Sequence, residues 1–309
     1  MFQRYYTGKM KNLKIDILKK RALIYRAIRR FFDEKGFIEV STPTALNEAA
    51  PEEFIESVFC DNNKLLRCSP ELAMKRLLCA GMEKIYQIGP CFRAGEYGSR
   101  HREEFSMLEY YQSGIDYMQM LDLTADMVRA AGSVINEELE FEFKKRKFSL
   151  AEKPEIITVR DAFRKYTPKS AEQAGIDGDF DELMVCCIEP ELGRGRMTFL
   201  TDYPADRASL ARLKASDTSV AERFELYIEG IELANAFGEL TDAAVQRERF
   251  AAAMDFRAAN NMKKYPDTPG FFQALDNGMP ESSGSALGID RLIMVLTGEE
   301  DIGNVIVED

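Results

Sequence analysis

Three stretches of this 309-residue chain bring together side chains suited to phosphates, a divalent cation and a cationic substrate. In the first, the apolar run 84–92 ends at Arg93, and the segment 94–104, carrying Glu96, Arg100, His101 and Arg102, leads back into Phe105. An arginine at the mouth of a hairpin can grip a phosphate bidentately, and an aromatic ring at the start of the return strand can stack on a base. The two-residue strand period then puts Phe105, Met107, Glu109 and Tyr111 on one face. Standing alone, a basic surface hairpin is the plainer reading, with His101 an exposed loop histidine.

The second stretch is 222–240, ERFELYIEGIELANAFGEL. A tight turn at Glu229-Gly230 pairs Tyr227 with Glu232 and puts Glu225 on the face of Glu232. Two carboxylates on neighbouring strands suit a hydrated Mg²⁺ bridged to phosphates. The bland alternative is a solvated face, weakened because Leu226 and Ile228 make the other face apolar and Leu233, Ala234 and Ala236 are unusually small or apolar for a surface ribbon. Strict alternation sends Asn235, Phe237 and Glu239 away from Glu232. If all are functional, a bulge near Ala234 must re-aim the strand. The third stretch is 278–296, where Gly284 and Gly288 permit close approach of a ligand and Arg291 stands in the first turn of a helix. Such a terminus attracts anions, although a helix-packing turn is the plainer reading of the glycine pair alone.

The elements that position these groups are legible in outline. Leu13, Ile17, Ile24, Ile28, Phe31 and Phe32 line one face of a helix over 13–35 that Gly36 ends. A strand follows over 37–42 and stops at Pro43. Strands are expected at 54–60 and 64–68, then a helix capped by Ser69 with Pro70 at its first position and Glu71 in its first turn, ended by Gly81. Strand signals return at 84–92 and 105–111, and an amphipathic helix fills 116–139. From 140 to 196 a basic run (Lys144, Lys145, Arg146, Lys147), two short helical segments and Gly-rich turns read as a variable insertion. Strands at 197–203, 222–229 and 231–239, a helix near 241–263, and Ser285–Ile289 running into a helix over 290–296 complete the chain. The pattern predicts an α+β fold, an antiparallel sheet flanked by helices, with residues 1–12 a tail and 13–309 one domain.

Composition excludes several classes. Lys plus Arg number 41 and Asp plus Glu 52, a net charge of −11, with 45% hydrophobic and 30% charged residues. No apolar run approaches the roughly 20 residues of a membrane span, and the N-terminus lacks a secretory apolar segment, so a cytoplasmic address is expected. The six cysteines have no C-x-x-C spacing and two are adjacent; they read as reduced small core residues. The single histidine excludes His-rich metal centres. A pI of about 5.0 disfavours nucleic-acid binding through a general positive field. Neither a P-loop nor a G-x-G-x-x-G follows a strand, so a nucleotide must be held by discrete arginines and carboxylates.

Taken in order, the three stretches resemble the signature motifs of class II aminoacyl-tRNA synthetases: the first helix with GFIEVSTP (36–43), FRAGEYGSRHREEF (92–105), and GSALGIDR (284–291). Class I signatures of the HIGH and KMSKS type are absent. SPELAMKRL, FSMLEYY, ERFELYIEGIELANAFGEL and ALGIDRL narrow the likeness to the lysyl-tRNA synthetase branch, over roughly 13–307. About a dozen residues precede the first helix, which leaves no room for that branch's anticodon-binding barrel, and Ser69 and Ala286 stand where lysyl-tRNA synthetases usually have alanine and glycine. Both changes are similar to those of the elongation factor P lysyl-lysine ligases.

That resemblance implies a ligase that uses ATP and Mg²⁺ to adenylate (R)-β-lysine, or less well lysine, for transfer to elongation factor P, working as a homodimer, with tRNA not expected as acceptor. It implies Arg93 on the α-phosphate and Arg291 on the γ-phosphate as the catalytic pair. Glu96, His101, Phe105 and Gly288 would complete the ATP site, and Glu225 and Glu232 would hold Mg²⁺. Ser69, Glu71, Glu109, Tyr111, Asn235, Phe237, Glu239 and Ala286 would line the amino-acid pocket. Gly95 replaces an acidic residue common two positions after the motif arginine, Ala73 a larger side chain, and Arg-Glu-Glu the usual Asn-Pro-Glu after His101. The rivals are a minimal enzyme charging tRNA or a small molecule, and an inactive synthetase-like binding module.

Overall fold

The computed structural model describes residues 14–60 and 64–307; the expected tail and Leu13 lie outside the described residues. In chain order the elements are α1 (Ile15–Glu34), β1 (Ile38–Glu39), β2 (Ala45–Leu46), β3 (Leu65–Leu66), α2 (Glu71–Cys79), β4 (Lys84–Phe92), β5 (Glu104–Ser113) and α3 (Tyr117–Ser133). There follow β6 (Glu140–Phe143), β7 (Arg146–Ser149), β8 (Glu155–Thr158), α4 (Val159–Tyr166), α5 (Ala171–Asp177), α6 (Phe180–Leu183), β9 (Thr198–Pro204) and β10 (Leu213–Lys214). The last are β11 (Asp217–Ile228), β12 (Ile231–Gly238), α7 (Ala243–Ala259), α8 (Pro269–Asp276), β13 (Ser282–Gly288) and α9 (Ile289–Thr297).

Nine strands form one sheet in the order β1-β4-β5-β13-β12-β11-β9-β8, with β10 on β11. The middle, from β4 to β9, is antiparallel; only the two edges, β1 on β4 and β8 on β9, are parallel. Alternation splits every central strand. Leu108, Tyr110, Leu226, Ala234, Ala236 and Leu287 face α1, α3 and α9 in the main core, and their neighbours face the opposite side. Ile24, Ile28 and Phe32 are the buried stripe of α1, and Phe32 stacks on Tyr86 at 4.7 Å between ring centroids. Gly36, at φ 75°, supplies the left-handed turn that releases the chain from α1 toward β1.

Several expected elements change. The strands at 54–60 and 64–68 reduce to β3 and a bridge from Phe59 to Leu65. Pro70, not Ser69, holds the cap position of α2, although Ser69 Oγ still accepts the Glu71 N–H at 2.9 Å. Helix α3 starts at a capping box between Asp116 and Gln119 and stops at Ser133, because the chain turns at 134–139 and Leu139 adopts a positive φ of 61°. The segment 140–196, read as a variable insertion, is packed into the fold. Its hairpin β6–β7 turns on Lys144 and Lys145, sends Phe141, Phe143 and Phe148 into the main core, and is followed by β8 at the sheet edge. Of the cysteines only Cys91 is buried, while Cys60 and Cys186 are exposed; all six are free thiols. Among the described residues no helix is long and apolar enough to cross a membrane.

Candidate functional site

The sheet face opposite α1 and α3 carries a cavity of about 360 Å³ floored by β5, β13, β12 and β11, with α2 at its side. Strand register builds its floor in rungs. Glu109 pairs with Ala286, Ala286 with Asn235, and Asn235 with Glu225, so one rung crosses four strands; Tyr111, Gly284, Phe237 and Arg223 form the next. The bulge lies at Leu233, between the pairs Leu226–Ala234 and Tyr227–Glu232. One extra residue turns Asn235 and Phe237 to the side of Glu232. Gly284 is obligatory in this rung, since a Cβ there collides with the Tyr111 ring. All sixteen residues singled out from the sequence line this cavity.

One end is a buried carboxylate cluster around a cation that the sequence reading missed. Lys75, 1% exposed, reaches Glu71 Oε1 at 2.6 Å and Glu239 Oε2 at 2.5 Å. Beside it Glu109 accepts from the Ser69 hydroxyl at 2.7 Å and from the Tyr111 hydroxyl at 2.6 Å. Burial and then the Glu71 charge push the Glu109 carboxyl up to about 8. Burial likewise raises Glu239 to about 7 despite the opposing Lys75 charge. Two carboxyl groups thus contact one ammonium and a third stands beside it on hydroxyl donors alone, which leaves the cluster with fewer cations than carboxyls.

The other end is basic. The Arg93 guanidinium lies over the Phe105 ring at 5.1 Å, its Nε buried without a hydrogen-bond partner, and Glu96 stands 3.9 Å from Nη1. Gly95, at φ 77°, makes the turn that sets Glu96 back toward Arg93. Arg291, at the start of α9, meets His101 Nε2 at 2.6 Å, the Glu232 carbonyl at 3.1 Å and Glu232 Oε2 at 3.3 Å. Burial and the Arg291 charge lower the His101 value, so the ring is neutral and accepts from the guanidinium.

Between the two ends Glu225 accepts from Arg223 Nη2 and from the Tyr227 hydroxyl, each at 2.6 Å. Glu189, also unforeseen, stands near: burial, then the charges of Glu225 and Glu232, lift it to about 7. Arg93, Arg100, Arg223 and Arg291 face these carboxylates and oppose the rise. Among the described residues no group of three or more His, Cys, Asp or Glu side chains is arranged to hold a metal. Two carboxylates without a full cage fit Mg²⁺, which keeps waters and takes other ligands from substrate phosphates.

Lys75 was open to inference, since it follows Glu71 by four positions on a helix. Arg223 shares the face of Glu225 by alternation. Glu52, which also lines the cavity, lies in an irregular loop with no periodicity to place it.

A model of the family described as tRNA synthetases class II (D, K and N) matches residues 2–307. The chain belongs to this family. Among relatives within and around it, the elongation factor P–(R)-β-lysine ligase of Enterobacter sp. (strain 638) is 37% identical over 307 residues, 94% of this chain and 93% of that protein. The ligase of the same name from Proteus mirabilis (strain HI4320) is also 37% identical, over 320 residues. The lysine–tRNA ligase of Moorella thermoacetica is 37% identical over 316 residues, 93% of this chain but 63% of that protein.

Proposed function

We propose that the chain is an ATP- and Mg²⁺-dependent ligase that activates (R)-β-lysine, or less well lysine, as an adenylate and transfers it to a lysine side chain of elongation factor P. The observation that carries this reading is the cluster of Glu71, Glu109 and Glu239 around a single Lys75. A substrate with two ammonium groups supplies the missing positive charge. Its carboxylate then points toward Arg93. The Ala286 methyl stands on the floor between Glu109 and Asn235, where it meets a substrate whose amino group has moved by one carbon.

In the first step a substrate carboxylate oxygen attacks the α-phosphorus and pyrophosphate leaves. Arg93, with a free buried Nε, holds the α-phosphate and stabilises the developing charge. Phe105 stacks on adenine, Glu96 and the neutral His101 contact the nucleotide, Gly288 lets it approach closely, and Arg291 exchanges Glu232 for the γ-phosphate. Mg²⁺, when bound at Glu225 and Glu232, supplies charge neutralisation on the phosphates. The protein's part is orientation and electrostatics, with no covalent nucleophile. Ile15, Leu23 and Ile38 are exposed apolar residues of α1 and β1, which supports a homodimer through that edge. The reaction then belongs in the cytoplasm, with residues 13–309 as one catalytic domain.

ATP–pyrophosphate exchange with lysine and both β-lysine enantiomers tests activation, and Arg93→Ala is expected to lower it by about 10²–10³-fold. Exchange with none of the three refutes the ligase reading. The rival reading is a minimal tRNA-charging enzyme; the Moorella lysine–tRNA ligase is equally identical, but the chain spans only 63% of it. Acceptor assays with elongation factor P and tRNA(Lys) side by side separate the two: labelling of the tRNA alone selects the second.

A further inference from the structure

Behind the amino-acid pocket lies a second cavity of about 210 Å³ that shares Glu52, Ser69 and Glu71 with the first. Its other walls are mostly small or apolar, among them Leu46, Ala49, Ala50, Leu72 and Ala73, with Asn47, Glu48 and the exposed Arg76 completing the lining. The loop that roofs it is pinned at both ends. Glu48 accepts the N–H groups of Gly270 and Phe271 at 3.0 and 3.1 Å, and the buried Arg257 donates to the carbonyls of Glu52 and Ile55 at 2.7 and 3.2 Å. Glu52 itself is half-buried at the junction of the two cavities. Glu71, Glu109, Glu225 and Glu239 are all engaged by cations or hydroxyls. Among the described residues none donates a hydrogen bond to the Glu52 carboxylate.

Apolar walls ending in a carboxylate are complementary to a methylene chain ending in an ammonium. We propose that the second cavity admits the acceptor amine, a primary alkylammonium on a lysine stem, and that Glu52 is the general base of the transfer step. This rests on the ligase reading above. The acceptor ammonium gives one proton to the Glu52 carboxylate. The amine lone pair then forms the C–N bond at the adenylate carbonyl carbon, and the carbon–oxygen bond to phosphate breaks, its electron pair leaving on AMP. The second proton shed by the nitrogen goes to the departing phosphate. Burial and the Glu71 charge raise Glu52 to about 7 against the opposing charges of Arg93, Arg223 and Lys75, a value suited to accepting a proton near neutrality.

The test uses the full chain loaded with ATP and (R)-β-lysine. Hydroxylamine, a small neutral amine that needs neither channel nor base, reads adenylate as hydroxamate; single-turnover labelling of elongation factor P reads transfer. Ala73→Leu, which narrows the second cavity from α2, should keep wild-type hydroxamate formation and slow transfer by about tenfold or more. Glu52→Gln should slow transfer by about 10²–10⁴-fold, far more than it lowers hydroxamate formation. Wild-type transfer should rise through about pH 7 and level off, whereas the Glu52→Gln rate keeps climbing toward the lysine range near pH 10. Wild-type transfer by Ala73→Leu, or an unchanged pH profile in Glu52→Gln, overturns the proposal. Failure of the wild type to form hydroxamate is a different result and defeats the ligase reading with it.

Discussion

Replacing Lys75 by methionine removes the one cation of the carboxylate cluster while keeping a long, helix-favouring side chain. The ammonium is 1% exposed and serves both Glu71 and Glu239. Removing one partner of a buried ion pair costs about 3–5 kcal/mol, because the charge left behind is uncompensated. At about 2.1 cal/mol/K per residue, 309 residues unfold with an entropy of about 650 cal/mol/K, so Tm should fall by about 5–8 °C. The loss also carries a pH sign. Glu239 stands at about 7 with Lys75 lowering it, so without Lys75 it rises further. A carboxyl whose folded value exceeds its unfolded one contributes stability at low pH that is lost as pH climbs through the folded value. The deficit should therefore be larger at pH 8.5 than at pH 6, and Lys75→Met combined with Glu239→Gln should recover part of it. Circular-dichroism melts of the three proteins at both pH values make the comparison. A Tm drop below about 2 °C at pH 8.5, or a deficit that shrinks as pH rises, refutes the charge balance described here.

Ala286→Gly should shift the ratio of kcat/KM for (R)-β-lysine over lysine by about 5- to 150-fold, the range one methyl commands; a change under about twofold removes that methyl from selectivity. In Gly284→Ala the new Cβ displaces the Tyr111 ring and crowds Glu239, so stability should fall by about 1–3 kcal/mol and KM for the amino acid should rise. Normal melts and normal exchange kinetics in that variant contradict the tight rung. Amino-acid binding should release protons near pH 7.5, because an arriving ammonium lowers the values of Glu109 and Glu239 from about 8 and about 7. Calorimetry in two buffers of different ionisation enthalpy measures this, and no release there speaks against burial of both carboxyls beside the substrate.

Strands β5, β11 and β12 were legible because each alternates over seven or more residues, long enough for the period to stand out, whereas β13, small and mostly buried along its length, was legible only from Ser285. The Leu233 bulge was legible as a contradiction: Glu232 and Asn235 cannot share a face of a regular strand. What escaped is short or non-periodic. Strands β6, β7 and β8 span four residues each amid charged neighbours, and only tertiary pairing defines them. Glu52 enters the site from an irregular loop and Glu189 stands near it on a single 3-10 turn, so no spacing rule reaches them. Lys75 escaped for another reason, since a lysine on a helix is expected to face solvent, and only the carboxylates of Glu71 on α2 and Glu239 just after β12 explain its burial.

Strand β13 lies between β5 and β12 although it is the last strand in chain order. On the ribosome, β5 and β12 emerge with unpaired edges that nothing earlier in the chain can satisfy, and unpaired edges invite aggregation. Both pocket rungs also lack their middle member until Ala286 and Gly284 arrive. No partly made chain can hold substrate in the finished geometry, and any factor that shields the nascent sheet must let go before the pocket exists. Closing the sheet and completing the pocket are one late event in the life of the molecule.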